Sequence, residues 1–232
     1  MPWVLLLAAA FVPATAQPAK DDAKSADVTQ QILITVERET PQGWQVIDPA
    51  MVLDSGARLR FRFKSSFPGY LYVMNQGSSG AYLTVFPGSD SGADNRVLPG
   101  QEMMVPQTEG VFRVSGPSGY DVLYWVLAPA RMTAGANSNY RPLPAPPRPG
   151  SKLSSLTPRC DDSMFRARGD CVDLDAGVQK VENPEKLPAN VSQAPGLQAR
   201  DLVFDKGKDV SVVTVPAKPT GPVVYEMRIA HK

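Results

Sequence analysis

In the stretch Leu59-Arg60-Phe61-Arg62-Phe63-Lys64, apolar and basic residues alternate without a break. A period of two puts Leu59, Phe61 and Phe63 on one face of a strand, toward a core, and the cations on the other, toward water. Residues 32–37 are a run of strand formers. Residues 70–74, 82–86, 103–105, 111–114 and 122–127 follow, parted by clusters of Gly, Pro, Asn or Ser. Short apolar runs punctuated in this way predict a sandwich or barrel. No stretch of comparable quality has a helical period, so the expected fold is all-β: an antiparallel β-sandwich of immunoglobulin-like type.

Alternation returns at the C-terminus. In residues 223–229, Val223, Tyr225, Met227 and Ile229 share one face, whereas Glu226 and Arg228 lie on the other. The pattern predicts a half-buried strand that needs a sheet to join. With residues 202–204 and 210–215 it could form a sheet of its own, but three strands give a thin core. It is therefore expected to complete the first sandwich. Between the two regions the chain turns rich in Pro, Gly, Ser and Asn, and residues 141–149 (RPLPAPPRP) are nearly a polyproline segment. The expected organisation is a leader over 1–16, a flexible lead-in over 17–27, the β-sandwich domain over 28–130, a long Pro-rich insertion over 131–200, and C-terminal strands over 201–232.

The leader rests on the apolar run 4–12 (VLLLAAAFV) and on Ala14-Thr15-Ala16, a small-residue cleavage pattern before Gln17. Its first three residues, MPW, carry no Lys or Arg, a departure from the usual signal peptide. The run is about half the length that spans a bilayer, so cleavage and a periplasmic or secreted location are expected, with no transmembrane anchor. Two cysteines, Cys160 and Cys171, fit that compartment and are expected to close a small disulfide loop. A zinc site is disfavoured because the one histidine, His231, cannot complete a four-ligand set with two thiolates. The 24 Lys and Arg nearly cancel the 23 Asp and Glu and are interspersed with them. That leaves no electrostatic footprint for nucleic acid.

One hairpin stands out, GYLYVMNQGSSGAYLTVFP over residues 69–87. Gly69, Tyr70, Leu71, Tyr72, Val73, Met74 and Asn75 are followed by Gly80, by Val85, Phe86 and Pro87, and by Asn95, Val97, Gly100, Val105 and Pro106. Phe112, then Gly116-Pro117-Ser118-Gly119, and Val122 complete the pattern. This combination resembles the bacterial domain of unknown function 4384 family, over about residues 57–130. Gly88 replaces the Asn that commonly follows the Phe-Pro pair there, and Tyr120 stands where a charged residue is frequent. The resemblance implies an exported or envelope-associated domain with no catalytic residues to carry over. Gly69, Tyr70, Tyr72, Asn75, Phe86 and Pro87 are read as a structural signature, since large apolar side chains and turn glycines are what a buried hairpin needs.

Residues 88–96 (GSDSGADNR) are the candidate partner-binding loop, with Asp90, Asp94, Asn95 and Arg96. The spacing fits no full calcium loop and lacks a distal bidentate Glu, so no metal or other cofactor is expected. Arg168-Gly169-Asp170 and Asn190-Val191-Ser192 match short adhesion and glycosylation motifs that arise readily by chance. His231 is expected on a fraying terminus, which argues against a histidine-based triad, and no paired carboxylates are visible. The expected function is a non-catalytic module binding a protein of the bacterial envelope or exterior. The alternative is a carbohydrate-binding module stacking sugars on Trp44, Tyr120, Trp125 or Tyr140; an enzyme with a carboxylate-based site is less favoured. Open coplanar aromatics would favour sugar, and buried aromatics with an open strand edge would favour protein.

Overall fold

A computed structural model describes residues 29–76, 82–132, 171–187, 189–216 and 218–232. In chain order its strands are β1 (Gln30–Thr40), β2 (Gly43–Ile47), β3 (Arg58–Ser65), β4 (Gly69–Gln76), β5 (Tyr82–Phe86), β6 (Arg96–Val97), β7 (Glu102–Val105), β8 (Phe112–Arg113), β9 (Gly119–Ala128), β10 (Gly177–Gln179), β11 (Val203–Lys206), β12 (Ser211–Val215) and β13 (Val223–His231). Among the described residues, helix is confined to a single 3-10 turn, Pro184–Lys186, and a four-residue helix, Ala189–Ser192. The expected all-β class is borne out.

Two sheets, antiparallel throughout, carry these strands. The seven-stranded sheet runs β11-β12-β1-β3-β7, with β2 paired to β1 and β8 to β3. The six-stranded sheet runs β10-β13-β9-β4-β5, with β6 paired to β4. Their inner faces meet in one core that draws Ile32, Ile34, Phe61, Phe63 and Val213 from the first sheet and Leu71, Val73, Trp125, Tyr225 and Met227 from the second. Trp125 is its hub: Phe63 stacks on it at 5.7 Å and Phe61 meets it edge-on at 5.4 Å. Tyr225 lies parallel to it at 6.4 Å. Aromatic pairs in such arrangements stabilise beyond the area they bury.

The alternation in β3 reads directly in the structure, with Leu59, Phe61 and Phe63 buried and the cations between them open to water. The C-terminal strand behaves differently. β13 pairs with β9 along its length, from Val223 opposite Leu127 to His231 opposite Gly119, and with β10 on its other edge. Glu226 and Arg228, expected to face water, are covered: Glu226 is buried and the Arg228 side chain is only 12% exposed. The physical reason is a second layer. Residues 171–199 lay Val181, Leu187, Val191 and Ala199 against Met74, Val126 and Val224 on the outer face of the six-stranded sheet. Cys171 and Ala176 do the same against Tyr120 and Ala230.

Candidate functional site

The loop expected to hold a partner folds as a tight turn pinned to its neighbour. Gly88 and Gly92 exchange backbone hydrogen bonds at 3.0 Å. Gly92 has φ +106°, and a Cβ there would come within 2.8 Å of Gln107 Cβ, so glycine is required by both conformation and space. Gln107 N donates to Ser91 O at 2.8 Å, the Gln107 side-chain amide donates to Asp94 O, and the Thr108 hydroxyl donates to Asp90 O. Asp90, Asp94 and Arg96 are exposed. Asn95 is not: it is buried, and its amide donates to Leu71 O at 3.1 Å while Leu71 N donates to Asn95 O at 2.8 Å. Asn95 therefore holds the loop on β4 and offers a partner nothing. Among the described residues no group of three His, Cys, Asp or Glu could hold a metal ion.

The signature hairpin is brought together as β4 and β5, antiparallel from Val73 opposite Phe86 to Gln76 opposite Tyr82. Residues 77–81, which include Gly80, lie outside the described residues. Phe86 is wholly buried. A Cβ on Gly69 would meet Ala128 O at 2.8 Å, so that glycine lets β4 approach β9 closely. Tyr70 and Tyr72 sit differently from their expected place. The core side of β4 is taken by Leu71 and Val73, and the two tyrosines are half-buried on the outer face. There the Arg131 guanidinium lies over the Tyr70 ring at 5.3 Å, and Met132 N donates to the Tyr72 hydroxyl at 2.8 Å. They tie down the chain leaving β9. Asn75 and Pro87 are also half-buried.

The aromatic platforms are mostly spent on packing. Tyr120 and Trp125 are buried, and the Tyr120 hydroxyl donates to Asp173 Oδ2. Trp44 is half-buried with the Arg60 guanidinium 4.3 Å above its ring, and Tyr140 lies outside the described residues. His231 is a correction of another kind. It is 0% exposed, ends the paired strand β13, and places Nε2 3.6 Å from Asp121 Oδ2. Backbone bonds from Leu53 N to Ala230 O at 2.9 Å and from Lys232 N to Leu53 O at 3.0 Å hold the terminus in place.

Covering β13 creates a polar cluster that its alternation did not announce. Arg228 Nε donates to Glu226 Oε1 at 2.9 Å, and Arg228 Nη2 lies 2.7 Å from the same oxygen. Arg228 Nη2 also donates to Glu182 Oε1 at 2.9 Å, so one guanidinium clips the covering segment to the sheet. Burial pushes the Glu226 carboxyl up from its ordinary value against the pull of Arg228. Burial works to lower Arg228, yet Glu226 and Glu182 outweigh it and its net shift is upward. Lys206 donates to Leu174 O at 3.0 Å and Ala176 O at 2.9 Å, and desolvation lowers it, with Asp175 opposing. The only advance signal was the charged pair at 226 and 228 inside an otherwise apolar run.

Among the described residues, the outer face of the seven-stranded sheet has no such cover. Arg58, Arg60, Arg62 and Lys64 project from it, with Glu37 and Glu39 from β1 and Trp44 and Val46 from β2 alongside. At its ends, β7 and β11 have no further strand beside them among the described residues, and Val203 on β11 is 61% exposed. Cys171 is buried and not free, while Cys160 and the Arg168-Gly169-Asp170 tripeptide lie outside the described residues. So does the expected leader, residues 1–16. No helix among the described residues is long and apolar enough to cross a membrane.

Among the described residues, these features define a two-sheet, all-β module with one outer face covered and one open. Residues 52–130, from the turn before β3 through β9, match the family described as Domain of unknown function (DUF4384). The resemblance carried by the hairpin is thus borne out over that stretch, which is under half of the chain. No curated protein and no solved structure matches.

Proposed function

We propose that the chain is an exported, non-catalytic module that binds a protein of the bacterial envelope or exterior, built as an immunoglobulin-like sandwich with residues 131–200 as a Pro-rich insertion. The observation that carries the reading is the open side of the seven-stranded sheet. Among the described residues it ends in strands without neighbours and exposes Val203, while Trp125 is taken up by the core and Tyr120 by the layer over the other sheet. An edge strand with unpaired backbone groups is a template for a partner's strand. Sugar platforms need open aromatic faces, and of the four candidates Trp44 alone reaches the surface among the described residues, under Arg60. Full burial of His231 beside Asp121 favours a packing role for that pair over a catalytic one. A photo-crosslinking residue placed at Val203 or at Asp90 is expected to trap a protein of discrete mass in intact envelopes. Glycan capture in place of any protein adduct would overturn the reading, as would substrate turnover abolished by a single carboxylate substitution.

A further inference from the structure

β3 places four cations in a row on the open face of the seven-stranded sheet, at every second residue from Arg58 to Lys64. Side chains on one face of a strand recur at about 6.8 Å. β8 adds Arg113 directly opposite Arg58. Two carboxylates pair with three of these five cations: Glu37 sits between Arg60 at 2.5 Å and Arg62 at 2.8 Å, and Glu39 faces Arg58 at 2.8 Å. Glu102 stands across from Lys64 in register, but no ion pair joins them. Lys64 and Arg113 are exposed and have no ion-pair partner among the described residues. Like charges directly opposite on neighbouring strands destabilise a sheet. The Arg58 and Arg113 pair therefore costs the fold something that an anion between them would relieve.

We infer that this ridge receives an extended acidic segment of a protein partner, running along β3 with carboxylates at alternate residues. The inference rests on the protein-binding reading and names the chemistry of the partner. An extended peptide repeats its side chains with the same period as the strand beneath it, so successive carboxylates meet successive cations without either chain bending. The row is held in place: Trp44 lies under the Arg60 guanidinium and Glu37 braces Arg60 and Arg62. Met104, opposite Arg62 on β7, and Val46, opposite Glu37 on β2, give the ridge apolar shoulders suited to a peptide chain. Arginine pairs with carboxylates through two parallel hydrogen bonds, which adds direction to the attraction.

The test is fluorescence anisotropy of a labelled peptide of four Glu-Ser repeats with the full chain. Binding at low salt is expected to weaken at physiological salt, where screening cuts the reach of exposed charges to about 8 Å. Lys64→Glu with Arg113→Glu removes cations that no other residue needs. It is expected to cost about tenfold in affinity, or about 1.4 kcal/mol, which lies within what two exposed contacts of about 1 kcal/mol or less can supply. The melting temperature should not change. Arg200→Glu with Lys218→Glu, an equal charge change elsewhere on the surface, should leave affinity as it was. Equal binding of a Lys-Ser peptide, no binding at low salt, or indifference to the ridge variant would overturn the inference. So would a sulfated polysaccharide that displaces the peptide and itself depends on Lys64 and Arg113. If the ridge variant still yields the protein adduct at Val203, the ridge is refuted while the protein-binding reading stands.

Discussion

The two sheets share a core and differ on their outer faces. On the seven-stranded sheet, Arg58, Arg60, Arg62 and Lys64 meet water, so β3 is buried at every second residue. On the six-stranded sheet, residues 171–199 supply a second layer, and eight of the nine residues of β13 are buried. Chemically the two strands follow the same rule, an apolar residue and then a charged one. Alternation identifies which residues face the core; whether the opposite face is wet depends on segments far away in sequence. A charge on the wet face is solvated, whereas a charge on the covered face must find a partner.

The comparison is sharpest where the shared core is broken. Trp125→Ala removes the ring that touches both sheets and should cost about 3 to 5 kcal/mol, read from chemical denaturation. A loss near 1 kcal/mol would show that the sheets do not meet there. Next comes a matched pair of arginines. Arg228→Ala strands the buried Glu226 and should cost about 3 kcal/mol, as breaking covered ion pairs does. Arg58→Ala, on the open face, should cost under about 1 kcal/mol. Equal costs would erase the distinction between the faces.

The covering layer is expected to be tied further by a bond between Cys160 and Cys171. Non-reducing peptide mapping should recover the two as one linked pair. In the chain-entropy picture such a loop contributes on the order of 2 to 3 kcal/mol. Because Cys171 packs against Val52, Tyr120 and Ala230, reduction should loosen the cover more than the open sheet.

Glu226 also gives the cover a pH signature. Burial raises its carboxyl above the ordinary value, so the folded chain holds that proton more tightly than the unfolded chain. The group's contribution to stability is fully present below the ordinary carboxylate range and is lost as pH rises through the raised value. In Glu226→Gln that part of the decline should vanish from melting temperature against pH, and an unchanged slope would contradict the assignment. Smallest of all, Asp90→Ala and Asp94→Ala should stay within about 0.5 kcal/mol of the parent chain, since both side chains are exposed.

Much of this architecture was legible where local pattern decides. The error-free alternation of residues 59–64 yielded the core side of β3, and the glycine and proline punctuation marked most strands. The hairpin carried the family. Parity misled at β4, where the tyrosines drew attention as the large side chains, yet Leu71 and Val73 are the ones that face Trp125. Fully aliphatic residues fill the inner face at lower cost than phenols that must place a hydroxyl. The status of Asn95 was hidden for a related reason: an Asn in a polar loop looks solvated, and only the register of β6 on β4 reveals the backbone groups it satisfies. His231 looked loose because it is next to last, but the pairing of β13 with β9 and with residue 53 holds it in the interior.

The most direct test of the open and covered faces is hydroxyl-radical footprinting of the chain with and without the alternating acidic peptide. Met74 and Met104 are the reporters, the first beneath residues 181–199 and the second on the open face beside Arg62. Met74 should stay unlabelled in both samples, and Met104 and Trp44 should be labelled in the free chain and protected by the peptide. Rapid labelling of Met74 in the free chain, or peptide protection at Met74 with none at Met104, would contradict it.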